Sequence, residues 1–64
     1  MPYAYFQQDH LQAHVIEHKG QDSSQRPITY YVLTTVIGDA TTEKTFDTAG
    51  EAMLAFAATI RAWH

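Results

Sequence analysis

Three histidines, His10, His14 and His18, stand four residues apart in a chain that carries four histidines and no cysteine. Imidazole is a common zinc ligand, and on an α-helix this spacing puts the three rings on one stripe. On a β-strand they still share a face, but the outermost pair is then about 26 Å apart at about 3.3 Å per residue, too far for one ion. Within the series, His14-Val15-Ile16-Glu17-His18 spells H-x-x-E-H, an order in which two helical imidazoles ligate zinc and the glutamate activates its water. Such a site needs a helix, a third ligand from elsewhere and a substrate cleft, and 64 residues can hardly enclose that cleft. The expectation is a solvated, histidine-rich face with no bound cofactor, and with His10, His14 and His18 as the candidates should a metal be held.

Other catalytic patterns are missing. Ser23 and Ser24 lie in a Gly/Asp/Ser/Pro-rich stretch with no glycine elbow and no fixed base beside them. Glu43, Asp47 and Glu51 fall on polar stretches, where ionised and solvated carboxylates are the default. The glycines at 20, 38 and 50 stand singly and form no phosphate-cradling loop. No enzymatic activity is expected.

Aromatic residues offer a different chemistry. Tyr30 and Tyr31, with Tyr3, Tyr5 and Phe6, could stack single-stranded bases, as exposed sheet aromatics do in RNA-binding folds. Such platforms sit among cations, and here seven acidic residues outnumber four basic ones, for a net charge of −3, with Lys19, Arg26, Lys44 and Arg61 scattered. Tyrosine is equally enriched at protein interfaces, which suits the charge better. Adding four positive charges by protonating every histidine would take the formal charge from −3 to +1. Because free histidine titrates near about 6.5, mild acid is a possible modulator.

The elements that position these residues follow from composition and period. Ile28–Ile37 (ITYYVLTTVI) is dense in β-branched and aromatic residues and predicts a strand. Gly38-Asp39-Ala40 predicts a turn, and Thr41–Phe46 a polar edge strand closing a hairpin. Asp47 or Thr48 supplies an N-cap oxygen, with Glu51 placed to complete a capping box. Met53, Phe56, Ile60 and Trp63 then recur at three- and four-residue spacings, the apolar stripe of an amphipathic helix. Residues 9–19 suit either a strand or a short helix, and strand is preferred because three strands make a stable sheet more readily than two. The predicted fold class is α+β: a small antiparallel sheet of three strands with one C-terminal helix on one face, β-β-β-α. It spans residues 1–64 as a single domain, with a flexible loop at residues 19–27.

One helix covers one face, yet the long strand is apolar on both: Tyr30, Val32 and Val36 on one, Tyr31, Leu33 and Ile37 on the other. A domain of this size buries only about 60% of its unfolded surface and lacks disulfides as staples, so an uncovered face is expected to seek a homodimer or another protein. Tyr30, Tyr31, Leu33 and Trp63 are the interface candidates. The stretch Tyr30–Ala62, with Phe46-Asp47-Thr48 leading into Glu51-Ala52, resembles the strand-to-helix junction of small β-β-β-α domains, including phage integrase arm-binding domains. Those members set a basic sheet against DNA, and this chain has no basic sheet face.

Met1–Phe6 shows no basic region followed by an apolar core, so no signal peptide is expected, and the longest nearly apolar run, Ala52–Ala58, is too short to span a bilayer. Absence of cysteine fits the reducing cytoplasm as well as export without disulfides; the cytoplasm is the expected compartment. The function expected is a non-enzymatic, homodimeric, acidic protein-binding module that inhibits or regulates a larger macromolecule, as phage or plasmid accessory proteins do. The alternatives are a nucleic-acid-binding regulator using a dimeric sheet surface and a histidine-based metal- or pH-responsive protein.

Overall fold

The computed structural model describes residues 2–63. Four strands, β1 (Pro2–Gln8), β2 (Leu11–Gln21), β3 (Pro27–Ile37) and β4 (Ala40–Phe46), precede one helix, α1 (Ala49–Ala62). The strands form one antiparallel sheet in chain order, β1-β2-β3-β4, so each pairs with its neighbour in sequence. The α+β class, the single antiparallel sheet and the C-terminal helix match expectation, and the preferred strand reading of residues 9–19 holds from Leu11 onward as β2, with Asp9 and His10 in the turn before it. The strand count does not: there are four, not three. The added strand, β1, is short and starts with a proline, which lacks an N–H for a ladder bond and is tolerated at the first residue of an edge strand.

Turn chemistry sets the register. β1 and β2 are joined by Asp9-His10 and β3 and β4 by Gly38-Asp39, each with positive φ at its first residue: 54° at Asp9 and 59° at Gly38. Left-handed backbone at that position matches the right-handed twist of the flanking strands. The two turns are also tied together, Gly38 N donating to the His10 carbonyl at 3.1 Å. Between β2 and β3 the connection is shorter than the expected loop at 19–27, because β2 runs on to Gln21 and β3 begins at Pro27. Asp22 organises the remaining turn, its Oδ1 accepting from Ser24 N and Arg26 N, both at 2.9 Å.

Helix α1 starts where the sequence places it. Thr48 Oγ1 accepts from Glu51 N at 3.2 Å and donates to the Glu51 carboxylate at 3.1 Å, while Glu51 in the first turn and Arg61 in the last oppose the helix dipole favourably. The helix packs on β2, β3 and β4 and ends with the Trp63 ring 6.0 Å from that of Phe6 on β1. Ala13, Val15 and Leu33 from the sheet and Ala52 and Phe56 from the helix form the core, bordered by Phe6, Tyr31, Phe46, Met53, Ile60 and Trp63. Ala52 and Ala13, both fully buried, have methyl side chains that let helix and sheet approach closely.

Pairing with β1 ends at Ile16 and pairing with β4 ends at Tyr31, so β2 and β3 continue beyond them as a two-stranded ribbon. This projection gives the protein its longest dimension, 42 Å against 23 and 17 Å. A bare two-stranded ribbon is marginal in water. Here Tyr31 Oη donates to Glu17 at 3.1 Å, the His18 and Tyr30 rings stack at 5.1 Å, and Asp22 closes the tip.

Candidate functional site

Because side chains alternate along a strand, the cross-strand registers sort the residues into two surfaces. The surface opposite α1 is built in rows. One row runs Tyr5, His14, Thr34, Glu43; the next runs Ile16, Val32, Thr45; beyond it, on the ribbon, lies His18 with Tyr30. On the other side of the first row lie Gln7, Gln12, Val36 and Thr41. No element of the described residues covers this face. Ile16 and Val32 are an adjacent apolar pair on it, and Val36 lies beyond the His14–Thr34 row; each is half-buried by strand neighbours alone.

Local interactions hold the polar groups in place. The Tyr5 and His14 rings are nearly parallel, 6.4 Å apart and 14° from coplanar, and those of His18 and Tyr30 differ by 8°. Tyr5 Oη donates to Gln7 Oε1 at 2.7 Å and accepts from Gln12 Nε2 at 2.9 Å, so these side chains satisfy one another across β1 and β2. Tyr and His lose little conformational freedom on binding, and stacking removes more of it beforehand.

Charge is partitioned between the two sides. Among the described residues, Glu43 is the single Asp, Glu, Lys or Arg in the rows named above; Glu17, Lys19 and Lys44 alternate to the helix side, and Arg26, Asp9, Asp22 and Asp39 sit in turns. A surface depleted of charge and enriched in aromatic and β-branched residues has the composition of an interface core.

Of the interface candidates, Tyr30 alone lies on this face. Leu33 is 5% exposed within the core, and Tyr31 and Trp63 pack at the core's edge, so in this fold their apolar surface is largely taken up by the chain itself. Ile16 and Val32, which sequence reasoning did not nominate, occupy the centre of the open face. The i, i+2 series Gln12, His14, Ile16, His18 was the signal that could have found Ile16 once β2 was taken as a strand.

Extended backbone also decides the histidines. His14 and His18 share the open face but stand about 13 Å apart along β2 at about 3.3 Å per residue, and His10 lies in the preceding turn. No group of three or more His, Asp or Glu among the described residues is placed to hold a metal ion. The H-x-x-E-H order loses its helical geometry, since Glu17 alternates to the other side of the sheet. Ser24 donates its backbone N–H to Asp22, and Glu51 is engaged at the helix cap. The described residues enclose no pocket, and no helix among them is long and apolar enough to cross a membrane. Comparison with protein-family models, curated proteins and solved structures finds no match.

Proposed function

We propose that this chain is a non-enzymatic protein-binding module whose working surface is the uncovered sheet face, through which it associates with another polypeptide, and that the assembled module inhibits or regulates a larger macromolecule. The observation that supports this reading is the partition of charge: the face opposite α1 keeps the apolar pair Ile16 and Val32 between the stacked Tyr5–His14 and His18–Tyr30 pairs, and among the described residues of its rows Glu43 carries the one formal charge. Excluding water from that apolar pair returns roughly 25 cal/mol per Å² of apolar surface, and few ionised groups need to be desolvated in exchange. The same partition weighs against single-stranded nucleic acid. A stacking platform for bases needs cations nearby to meet phosphates, and Lys19, Arg26, Lys44 and Arg61 lie off this face.

Comparative capture tests the proposal. The intact chain and its Val32→Lys variant are used as baits in nuclease-treated native lysate, and each bait's own mass is recorded. Proteins held by the parent, including further copies of itself, are expected to be lost by Val32→Lys while the variant keeps its helical circular dichroism. Capture that is unchanged in a folded variant would move the working surface elsewhere.

A further inference from the structure

We infer that the occupant of the open face is a second copy of this chain, packed sheet against sheet about a two-fold axis that runs parallel to the strands between β2 and β3. The inference rests on the face reading proposed above and names its partner.

Two observations carry it. The first is self-complementarity in rows. A two-fold axis in that position reverses every cross-strand row onto its own image, so β3 of the partner lies over β2 and β4 of the partner lies over β1. In the row Tyr5, His14, Thr34, Glu43, reversal brings the carboxylate end of one copy over the phenol and imidazole end of the other. In the adjacent row, Ile16 of each copy meets Val32 of the other, which closes the apolar pair on itself. The two Glu43 carboxylates end on opposite edges, about three strand spacings or roughly 14 Å apart, so the symmetric pair creates no like-charge contact.

The second observation is area. Four strands sharing seven residues each, at about 4.8 Å between strands and about 3.3 Å per residue, give a footprint of roughly 450 Å². The longer β2 and β3 add roughly 130 Å² by the same spacings. Before any side-chain relief this reaches nearly the ~600 Å² per partner at which specific interfaces begin. Aligned sheets pack about 10 Å apart with interdigitated side chains, and the half-buried Ile16, Val32 and Val36 stand where that interdigitation takes place.

The experiment is sedimentation velocity of the intact chain at about 100 μM, joined to isotope-filtered NOE spectroscopy on a mixture of labelled and unlabelled copies. A mass of twice 7.2 kDa is expected, with filtered NOEs between the Ile16 and Val32 methyls of different copies. Ile16→Lys is expected to raise the dimer Kd at least about 100-fold. The variant Glu43→Lys, at an exposed position on edge strand β4, replaces the carboxylate over the partner's Tyr5 by a cation one strand away from the partner's His14, and should raise it about tenfold without disturbing the fold. A monomeric parent at that concentration overturns the inference, as does a dimer whose filtered NOEs arise from α1 or from a strand edge. A monomer that captures a different protein, and loses it on Val32→Lys, keeps the open face as the working surface while eliminating the second copy. A monomer whose captures ignore Val32→Lys removes both.

Discussion

On the helix side of the sheet, Ala13, Val15 and Leu33 are at most 5% exposed beneath Ala52 and Phe56, whereas Ile16, Val32 and Val36 on the other side are only half-buried by their own strand neighbours. The same β2 and β3 supply both sets, since alternation sends successive residues to opposite surfaces. The sets differ in kind as well as exposure. The covered side uses alanines where the helix must come close, and the four-stranded part of the open side presents β-branched, aromatic and longer polar groups with no alanine or glycine in the rows described above. Burial within one chain and readiness for another thus call for different side-chain sizes, even where hydrophobicity is similar.

Truncation on each side gives the strongest test of that contrast. Phe56→Ala removes the largest helix side chain from the core and should cost about 3–5 kcal/mol, enough to unfold most of a domain this small at 25 °C by circular dichroism. Val32→Ala should cost the monomer only about 1 kcal/mol, because its methyl groups are half-exposed and each buried CH₂ contributes about 0.8 kcal/mol. Equal losses in urea melts of dilute samples would erase the distinction between the faces.

Thr48→Ala sharpens the contrast from the helix side. It removes the acceptor for Glu51 N and should lower stability by about 1 kcal/mol in the same melts. Since α1 does not touch the open face, association measured on the folded fraction should be unaltered. The smallest effect concerns metal. With His14 and His18 about 13 Å apart along an extended strand, millimolar zinc should leave the thermal midpoint unchanged. A rise of several degrees would mean that the imidazoles converge between copies.

Much of this architecture was legible in the residues because local and tertiary preferences agree. The β-branched run of β3, the Thr48–Glu51 cap and the 3–4 spacing of Met53, Phe56, Ile60 and Trp63 each indicate one conformation, and each forms it. β1 was missed because seven residues beginning at a proline carry little periodic signal of their own; it is defined by pairing with β2. The candidate surface was half legible. Alternation separated Tyr30, Val32 and Val36 from Tyr31 and Leu33, but which set the helix would cover depends on how α1 folds back after β4, a tertiary property that no periodicity encodes. The Tyr5–His14 stack was hidden for a related reason, since it exists only in the β1–β2 register.

The chain-order arrangement of the strands bears on how quickly the molecule assembles. Every sheet pairing joins neighbours across a short turn, so hairpins can close one after another with little loop-closure entropy, and the contacts of longest separation, such as Phe6 on Trp63, wait for the helix. Folding should therefore be fast for a sheet-rich domain. Its late step is the docking of α1, and until that step both sides of a nascent sheet are bare.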